Sequence, residues 1–348
     1  MLIRRTLALS LLVMVALVPH TAAQRTTGLQ SLLDAQLARF PAKAGNHVKH
    51  LKTGEEPAVH GDDVFNSASV IKIPVMVLAY QLADKQALSL DTRVTVGKDD
   101  FRGGSGVLRY HDPGLQPTIR DLITQMIITS DNSATDLMIA RVGGVAAVNA
   151  WLQANGYKDL RLNTTIYEVF RRRYEVADPA FKGLSPAELY AVQSGDPAFA
   201  GMTRDRYESI QKAMQRPGLS AELNRQVNED PASWLGQISP RGTSRMIEAI
   251  EGCTIASQAS CAEMRTAFRR QQAGSRRLPH FLDVPVGHKT GDFPPVLAND
   301  VGVIYARSGP IVISFLTNAI REPYAELEDR MGRTTRMIVD YFDGVGTR

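Results

Sequence analysis

The sequence predicts a mixed α/β protein of the α+β type, with an antiparallel sheet built from both termini, helices flanking that sheet, and an all-helical lobe. Strand-like segments lie near the N-terminus, in "NHVKHLKTGEEPAVHG", and near the C-terminus, in "VGHKTGDF", "NDVGVIYA" and "PIVISFLT". Helical apolar spacing fills much of the middle, over residues 118–155 and 243–272. We therefore expect the strands of both ends to pair in one sheet and the helices between them to form the lobe.

The first 23 residues are expected to be a secretory signal peptide. Arg4 and Arg5 precede an apolar run over residues 7–18, and small residues end at Ala23, so cleavage is expected before Gln24. A retained membrane anchor is the alternative, but the apolar run is too short to span a bilayer. We expect an exported, periplasmic or secreted chain of residues 24–348 that is monomeric and has no membrane contact after cleavage.

Composition and charge indicate an ordinary globular protein. The 348 residues are 44% hydrophobic and 22% charged, with a formal net charge of +4 that falls to +2 when the two arginines of the signal are removed. This positive bias is too weak to indicate a nucleic-acid partner. No nucleic acid is therefore expected among the partners.

The N-terminal half begins with elements that the sequence marks clearly. Residues 28–40 have the apolar spacing of a helix, and two short strands are expected around a turn at Lys52, Thr53 and Gly54. From residue 70 to residue 80 the only charge is Lys72, which predicts an almost wholly buried helix.

The later elements are helices and a hairpin. The helical residues 118–155 are interrupted at Asp131 and Asn132, which favour caps and turns over helix interiors. Near the C-terminus, residues 307–309 are expected to join two strands as a hairpin, and "EDRMGRTTRMIVDYF" closes the chain as a helix.

Cys253 and Cys261 are the only cysteines and lie close together in "GCTIASQASC". In an oxidising compartment they can form a local disulfide, or they can be two small buried thiols. They lack the further cysteines or histidines of a zinc site, so no metal and no cofactor is expected.

The lone buried lysine has a chemical explanation in Ser69, which precedes it by three residues. Residues i and i+3 share a helix face, and the serine lies near the helix N-terminus, where unpaired N–H groups favour negative charge. Burial disfavours the ammonium form of Lys72, so its neutral amine can take the serine proton near neutral pH. Ser69 and Lys72 are therefore a candidate nucleophile and base.

The same spacing in Ser209 and Lys212 is interpreted as surface helix charge, because charged residues surround that pair. Two further motifs support the first pair. Ser130, Asp131 and Asn132 lie at a helix junction, although such residues also commonly cap helices. Lys289, Thr290 and Gly291 lie on a predicted strand.

The ordered set S-x-x-K, S-D-N and K-T-G resembles the penicillin-recognising serine enzymes, and its flanking segments resemble class A β-lactamases, a β-lactamase/transpeptidase-like fold. The resemblance implies that Ser69 attacks the carbonyl, Lys72 acts as base or proton relay, and Ser130 passes a proton to the departing nitrogen. It further implies a set of substrate-binding residues: Asn132, Lys289, Thr290, Gly291, Asp292 and Tyr110. By the same resemblance, the N–H groups of Ser69 and Asp292 form the oxyanion hole. Tyr110 is either a wall of the cleft or a packed surface tyrosine.

One departure from the family concerns the water that frees the acylated serine. The family's E-x-x-L-N loop is absent, and "LRLNTTIYEVFRRRYEV" occupies its place, followed by a polar, partly helical insertion at about residues 165–242. Glu168 is the first candidate for the deacylating base and Glu175 the second, although surface charge is the alternative for both.

Three functions are compatible with this pattern. The first is an exported β-lactamase that hydrolyses the lactam amide. The second is a D-alanyl-D-alanine carboxypeptidase or penicillin-binding protein that acts on a peptidoglycan peptide and releases its acyl group slowly. The third is a non-catalytic β-lactam-binding sensor. The motifs favour the first, and the missing glutamate weakens it.

Overall fold

The computed structural model describes residues 22–345, and their side chains from residue 28 onward. Residues 1–21 of the expected signal peptide lie outside the described residues. The α-helices are α1 (Ala22–Leu37), α2 (Lys72–Asp84), α3 (Ile119–Ile128), α4 (Asn132–Arg141), α5 (Gly144–Ala154), α6 (Ile166–Ala177), α7 (Pro186–Ser194), α8 (Arg204–Met214), α9 (Leu219–Glu229), α10 (Pro240–Glu251), α11 (Gln258–Arg269) and α12 (Tyr324–Asp343). The strands are β1 (Lys43–His50), β2 (Ala58–Val59), β3 (Phe65–Asn66), β4 (Arg161–Leu162), β5 (Gly236–Ile238), β6 (Val286–Phe293), β7 (Leu297–Ala306) and β8 (Gly309–Asn318).

The larger sheet has five antiparallel strands in the order β2-β1-β8-β7-β6. N-terminal β1 pairs along its whole length with C-terminal β8, from Lys43 opposite Asn318 to His50 opposite Ile311. The prediction of one antiparallel sheet built from both termini is confirmed. The predicted hairpin is confirmed as well, since Ala306 pairs with Gly309 at the turn between β7 and β8.

Helices cover both faces of this sheet because successive side chains of a strand point to opposite faces. On one face, Ile313 and Phe315 of β8 belong to a core cluster with apolar residues of α1 and α12. On the other face, Val312 and Leu316 belong to the larger cluster, which includes residues of α2, α3, α10 and α11. The helices α3, α4 and α5 form the core of the expected helical lobe.

A second, three-stranded sheet, which the sequence did not predict, connects the insertion to the rest of the fold. Its order is β3-β5-β4, and Leu162 of β4 pairs with Gly236 of β5. The two ends of the intervening segment therefore meet beside β3, three residues before Ser69. We call the helices α6 to α9 and their connections, residues 163–235, the insertion.

The insertion is helical and has a small core of its own, formed by Tyr174, Leu184, Leu189, Val192 and Ile210. Its surface helix α8 carries Ser209 and Lys212, both exposed, which confirms their interpretation as surface residues.

A buried carboxylate joins the insertion to the helical lobe. Asp136 of α4 accepts a hydrogen bond of 2.7 Å from Arg102, and it also accepts the backbone N–H groups of Ile166 and Tyr167, at 2.7 and 2.9 Å. These N–H groups belong to the first turn of α6, where helical partners are missing. Asp136 therefore fixes the start of the insertion and neutralises Arg102.

Cys253 and Cys261 form a disulfide in the structure, with their Cα atoms 5.6 Å apart. Of the two alternatives that the sequence left open, the disulfide is therefore the one observed. Within residues 22–345, no single helix has the length and apolar character needed to cross a membrane, and α4 and α5 meet that test only as a pair bent by 73°.

We predict that Asp136→Ala lowers the free energy of unfolding by about 3 kcal/mol, because it leaves Arg102 charged and buried without a carboxylate. Urea denaturation followed by circular dichroism measures this change. Asp205→Ala, at an exposed position in the first turn of α8, is the control and should lower stability by less than about 1 kcal/mol. Equal losses in the two variants would contradict the assigned role of Asp136.

Candidate active site

Ser69 lies in a 3₁₀ turn, Ala68–Ile71, that leads directly into α2. The serine is partly exposed and lines the main cleft. Ala68 has a positive φ of 40°, and its N–H donates to the side-chain oxygen of Asn66 at 3.0 Å. The turn is thus held on its N-terminal side by a side-chain hydrogen bond.

Gly291 of β6 packs directly against this turn. A Cβ atom at Gly291 would lie 2.7 Å from the carbonyl oxygen of Ser67 and 3.1 Å from Cγ2 of Val70. The sequence analysis assigned Gly291 to the substrate-binding set. The geometry shows why this position is glycine, since only glycine lets the strand approach the backbone that carries Ser69.

Lys72 is fully buried at the first position of α2, as predicted. Its Nζ donates to the Ser130 carbonyl at 2.7 Å, to Ser130 Oγ at 3.1 Å and to Asn132 Oδ1 at 3.0 Å. Burial first, and then the charge of Lys289, lowers the pKa of Lys72 well below its usual value, while Asp131 opposes the shift. The three donated hydrogen bonds are those of the ammonium form, and the lowered pKa means that this form loses a proton more readily than an exposed lysine does.

Ser130 connects both lysines. Its Oγ accepts a hydrogen bond from Lys72 at 3.1 Å and another from Lys289 at 3.0 Å. These two bonds occupy both acceptor positions of the hydroxyl and leave its hydrogen free to donate elsewhere. Ser130 has a positive φ of 55°, an uncommon conformation for a residue with a side chain. Such strain persists where the surrounding structure holds it, and here Lys72 binds both the carbonyl and the hydroxyl.

Lys289 and Thr290 are fully buried on β6. Burial lowers the pKa of Lys289 to about 8, although Asp292 and Asp300 oppose that shift. The hydroxyl of Thr290 has no hydrogen-bond partner among the described residues. A buried hydroxyl without a partner, next to a lysine, is suited to bind an anionic group.

Asp131 and Asn132 have different tasks at the junction of α3 and α4. The carboxylate of Asp131 accepts backbone N–H groups from Val107, Leu108 and Ala134, at 2.7 to 2.8 Å. The Oδ1 atom of Asn132 accepts a hydrogen bond from Lys72, and its Nδ2 donates to the carbonyl of Gly103 at 2.9 Å. Asp131 therefore orders the junction, and Asn132 connects it to the lysine.

Asp292 lines the cleft, but Arg277 and Tyr324 hold its carboxylate. Burial alone would raise the pKa of Asp292, whereas Arg277, Tyr324 and Lys289 keep it below its usual value. The carboxylate therefore stays ionised and bound, and is not available as a base.

The cleft has a volume of about 400 Å³, and it is lined by Ser69 and Asn132 of the motifs on one side and by residues of the insertion on the other. Apolar and aromatic residues of the insertion form its outer wall: Ile166, Val169, Phe170, Leu223, Val227, Trp234 and Leu235. The sequence did not identify these residues as part of the site, because no motif marks them. Their helical apolar spacing on α6 was the available signal, since positions 166, 169, 170 and 173 share one face.

Three expectations for the cleft need correction. Tyr110 is 73% exposed, lies beside the guanidinium of Arg109, and does not line the cleft, where Gly104 and Ser105 are found instead. Glu168 is also outside the cleft, because it lies on the opposite face of α6, where Arg171 binds its carboxylate at 3.0 Å. Glu175 binds the same arginine at 2.9 Å.

Comparison with known proteins agrees with this geometry. The model of the family described as "Beta-lactamase enzyme family" matches residues 27–342. Beta-lactamase L2 of Stenotrophomonas maltophilia is 39% identical over 95 residues, which are 27% of this chain and 31% of that protein. The match thus spans about a third of the length of this relative.

Solved structures match over nearly the whole chain. The β-lactamase of Sphaerobacter thermophilus is 25% identical, with a TM-score of 0.66 over 91% of this chain and 97% of its own. A variant of PBP-A in an acyl-enzyme complex with penicillin G is 22% identical, with a TM-score of 0.64 over 92% of this chain and 97% of its own, and shows likeness of fold alone. By its family model and its fold, the chain belongs to the β-lactamase enzyme family, whose fold is that of the class A serine β-lactamase-type hydrolases.

Proposed function

We propose that the protein is a serine β-lactamase that β-lactams acylate at Ser69. The observation that carries this proposal is the hydroxyl of Ser130 between two buried lysine amines, at 3.1 Å from Lys72 and 3.0 Å from Lys289. This arrangement supplies a base on one side, an anion-binding cation on the other, and a proton donor between them. The acyl-enzyme of the PBP-A variant supports acylation by a penicillin in this fold.

These contacts support the following acylation step. The neutral amine of Lys72 takes the hydroxyl proton of Ser69, and Oγ attacks the lactam carbonyl carbon. The carbon–nitrogen bond then breaks while Ser130 donates its proton to the departing nitrogen, and Lys72 returns a proton to Ser130 through their hydrogen bond. Lys289 and Thr290 hold the substrate carboxylate, and the N–H groups of Ser69 and Asp292 stabilise the oxyanion.

Deacylation needs a base, and the glutamate that serves as this base in the family is absent from the sequence. Asp292 is the one carboxylate residue among the described lining of the cleft, and Arg277 and Tyr324 hold it. We therefore assign the activation of the hydrolytic water to Lys72. Asn132, which accepts from Lys72 and lines the cleft, is placed to hold that amine toward the acylated serine.

A second candidate is a penicillin-binding enzyme that is acylated but releases its acyl group slowly, as a D-alanyl-D-alanine peptidase would. The absence of a free carboxylate in the described cleft lining favours it. Export with removal of residues 1–23 is part of both proposals, and the charged, apolar and small-residue regions of that segment support it.

We predict that the purified mature protein hydrolyses nitrocefin steadily and that Ser69→Ala abolishes both turnover and the acyl adduct seen by mass spectrometry, because the nucleophile is lost. Ser209→Ala, in the exposed S-x-x-K of α8, is the matched control and should behave as wild type. A burst of nitrocefin cleavage that stops would select the slow-release enzyme. An adduct that persists in Ser69→Ala would refute the assignment.

We predict that Glu168→Gln releases its acyl group at the wild-type rate, because the Glu168 carboxylate is bound to Arg171 outside the cleft. Acylation by benzylpenicillin followed by mass spectrometry over time measures the release. A release rate at least 10²-fold lower in Glu168→Gln would restore the glutamate as the base.

We also predict that release of the acyl group by the wild-type protein slows as pH falls through the lowered pKa of Lys72, because the ammonium form cannot accept a proton. The same mass-spectrometric time course, repeated over a range of pH, measures this change.

We predict a bell-shaped pH profile of kcat/KM for benzylpenicillin. The acidic limb reflects protonation of Lys72, and the basic limb, near pH 8, reflects loss of the Lys289 charge that binds the substrate carboxylate. The KM should therefore rise above about pH 8. Lys289→Arg should move the basic limb to higher pH because a guanidinium stays charged there. A basic limb that does not move in this variant would exclude Lys289 as its source.

A further inference from the structure

Arg173 is a cleft residue to which the acylation mechanism assigns no task. It lies on the face of α6 that lines the cleft, and its guanidinium carbon is 4.4 Å from the centre of the Phe293 ring. Burial lowers the pKa of Arg173 to about 10, so the side chain is still charged at neutral pH. A partly buried positive charge therefore stands in the wall of the cleft.

This charge lacks the compensation that its neighbours have. Arg171 binds Glu168 and Glu175, and Arg172 lies 3.9 Å from Glu168 and donates to the carbonyl of Ala232. Among the described residues, no carboxylate lies within salt-bridge distance of Arg173 and no acceptor receives its N–H groups. A guanidinium that lines the cleft without a carboxylate partner is suited to bind an anionic ligand.

The position of Arg173 along β6 indicates which part of a substrate it meets. Phe293, beneath Arg173, is four residues beyond Lys289, which is roughly 13 Å along a strand. Gly291 lies between them and packs against the turn of Ser69. A carbonyl held at Ser69 therefore has one cation on each side, Lys289 toward the leaving-group part of the substrate and Arg173 toward the acyl part.

The surroundings of Arg173 suit a carboxylate attached to an apolar group. Phe170, Leu223 and Trp234 line the same part of the cleft. Asp292, the nearby carboxylate, is already bound by Arg277 and Tyr324 and does not neutralise Arg173. The planar guanidinium can bind a carboxylate through two parallel hydrogen bonds while its other face stays on the Phe293 ring.

We propose that Arg173 binds a carboxylate on the acyl side of the substrate, so that the preferred substrates are dianionic, with one carboxylate at Lys289 and Thr290 and a second at Arg173. This inference rests on the proposed function, because it takes Ser69 as the point that separates the two ends of the substrate. It adds a specificity residue supplied by the insertion.

Carbenicillin and benzylpenicillin test this proposal, because they differ by one carboxylate on the acyl side chain. Their affinities are measured by calorimetry with the full mature chain carrying Ser69→Ala, so that the readout is binding without acylation. Carbenicillin should bind about 10- to 100-fold more tightly than benzylpenicillin, the range expected for hydrogen bonds to a charged group. Adding Arg173→Met, which keeps the apolar stem over Phe293, should remove that preference.

Arg225→Gln is the matched control, since it removes one positive charge from an exposed position of α9 outside the cleft and should leave the preference unchanged. Equal affinities for the two penicillins with Arg173 present would overturn the proposal, and so would an equal loss in Arg173→Met and Arg225→Gln. If Arg173→Met does not fold, Arg173→Lys, which keeps the charge but not the planar fork, must reduce the preference. Failure of the wild-type protein to be acylated by either penicillin would count against the proposed function and leaves this binding comparison standing.

Discussion

The site depends on the complete burial of two lysine amines that converge on one hydroxyl. Lys72 and Lys289 both donate to Ser130 Oγ, and the charge of Lys289 adds to burial in lowering the pKa of Lys72. Two positive charges that share one hydroxyl are unfavourable in an interior of low dielectric constant, which favours loss of a proton from one of the amines. In the proposed mechanism, that electrostatic constraint distinguishes a base from an anion-binding group although both residues are lysines. We assign the base to Lys72, whose pKa lies well below its usual value, and the anion-binding charge to Lys289, whose pKa is about 8.

The backbone around the lysines is arranged to meet that constraint. Lys289 reaches Ser130 because β6 lies against the turn of Ser69, and that approach requires glycine at position 291. Ser130 accepts both amines because Asp131 holds the junction in which Ser130 has a positive φ. The sheet and the buried helix α2 thus each supply one amine to a hydroxyl that the helical lobe supplies.

The insertion forms one wall of the cleft in which Ser69 and Asn132 lie. Its ends meet in the small sheet beside β3, and Asp136 binds the first turn of α6, so the apolar face of α6 becomes a wall of the cleft. The same helix turns Glu168 away and brings Arg173 in, because residues 168 and 173 lie on different faces of a helix. The cleft therefore has an additional cation in place of an additional carboxylate. In the proposed function, that exchange affects both the release of the acyl group and the choice of substrate.

By itself, the sequence determined the sheet built from both termini and the buried position of Lys72, because both are encoded locally in hydrophobic periodicity. Its three motifs, through the family that they resemble, indicated the grouping of Ser130, Asn132 and Lys289 around Lys72, and strand pairing and helix packing bring these motifs together. Only the tertiary structure decided the places of Tyr110, Glu168 and Arg173. Each of these residues lies on a loop or on the insertion. A shift of one residue along a helix rotates a side chain by about 100° around the helix axis. The orientation of the helix itself depends on contacts between residues far apart in sequence, such as that of Asp136 with Ile166. The spacing of residues along the sequence specifies which of them share a face of a helix. It does not specify what that face packs against, because this packing depends on residues that are distant in sequence.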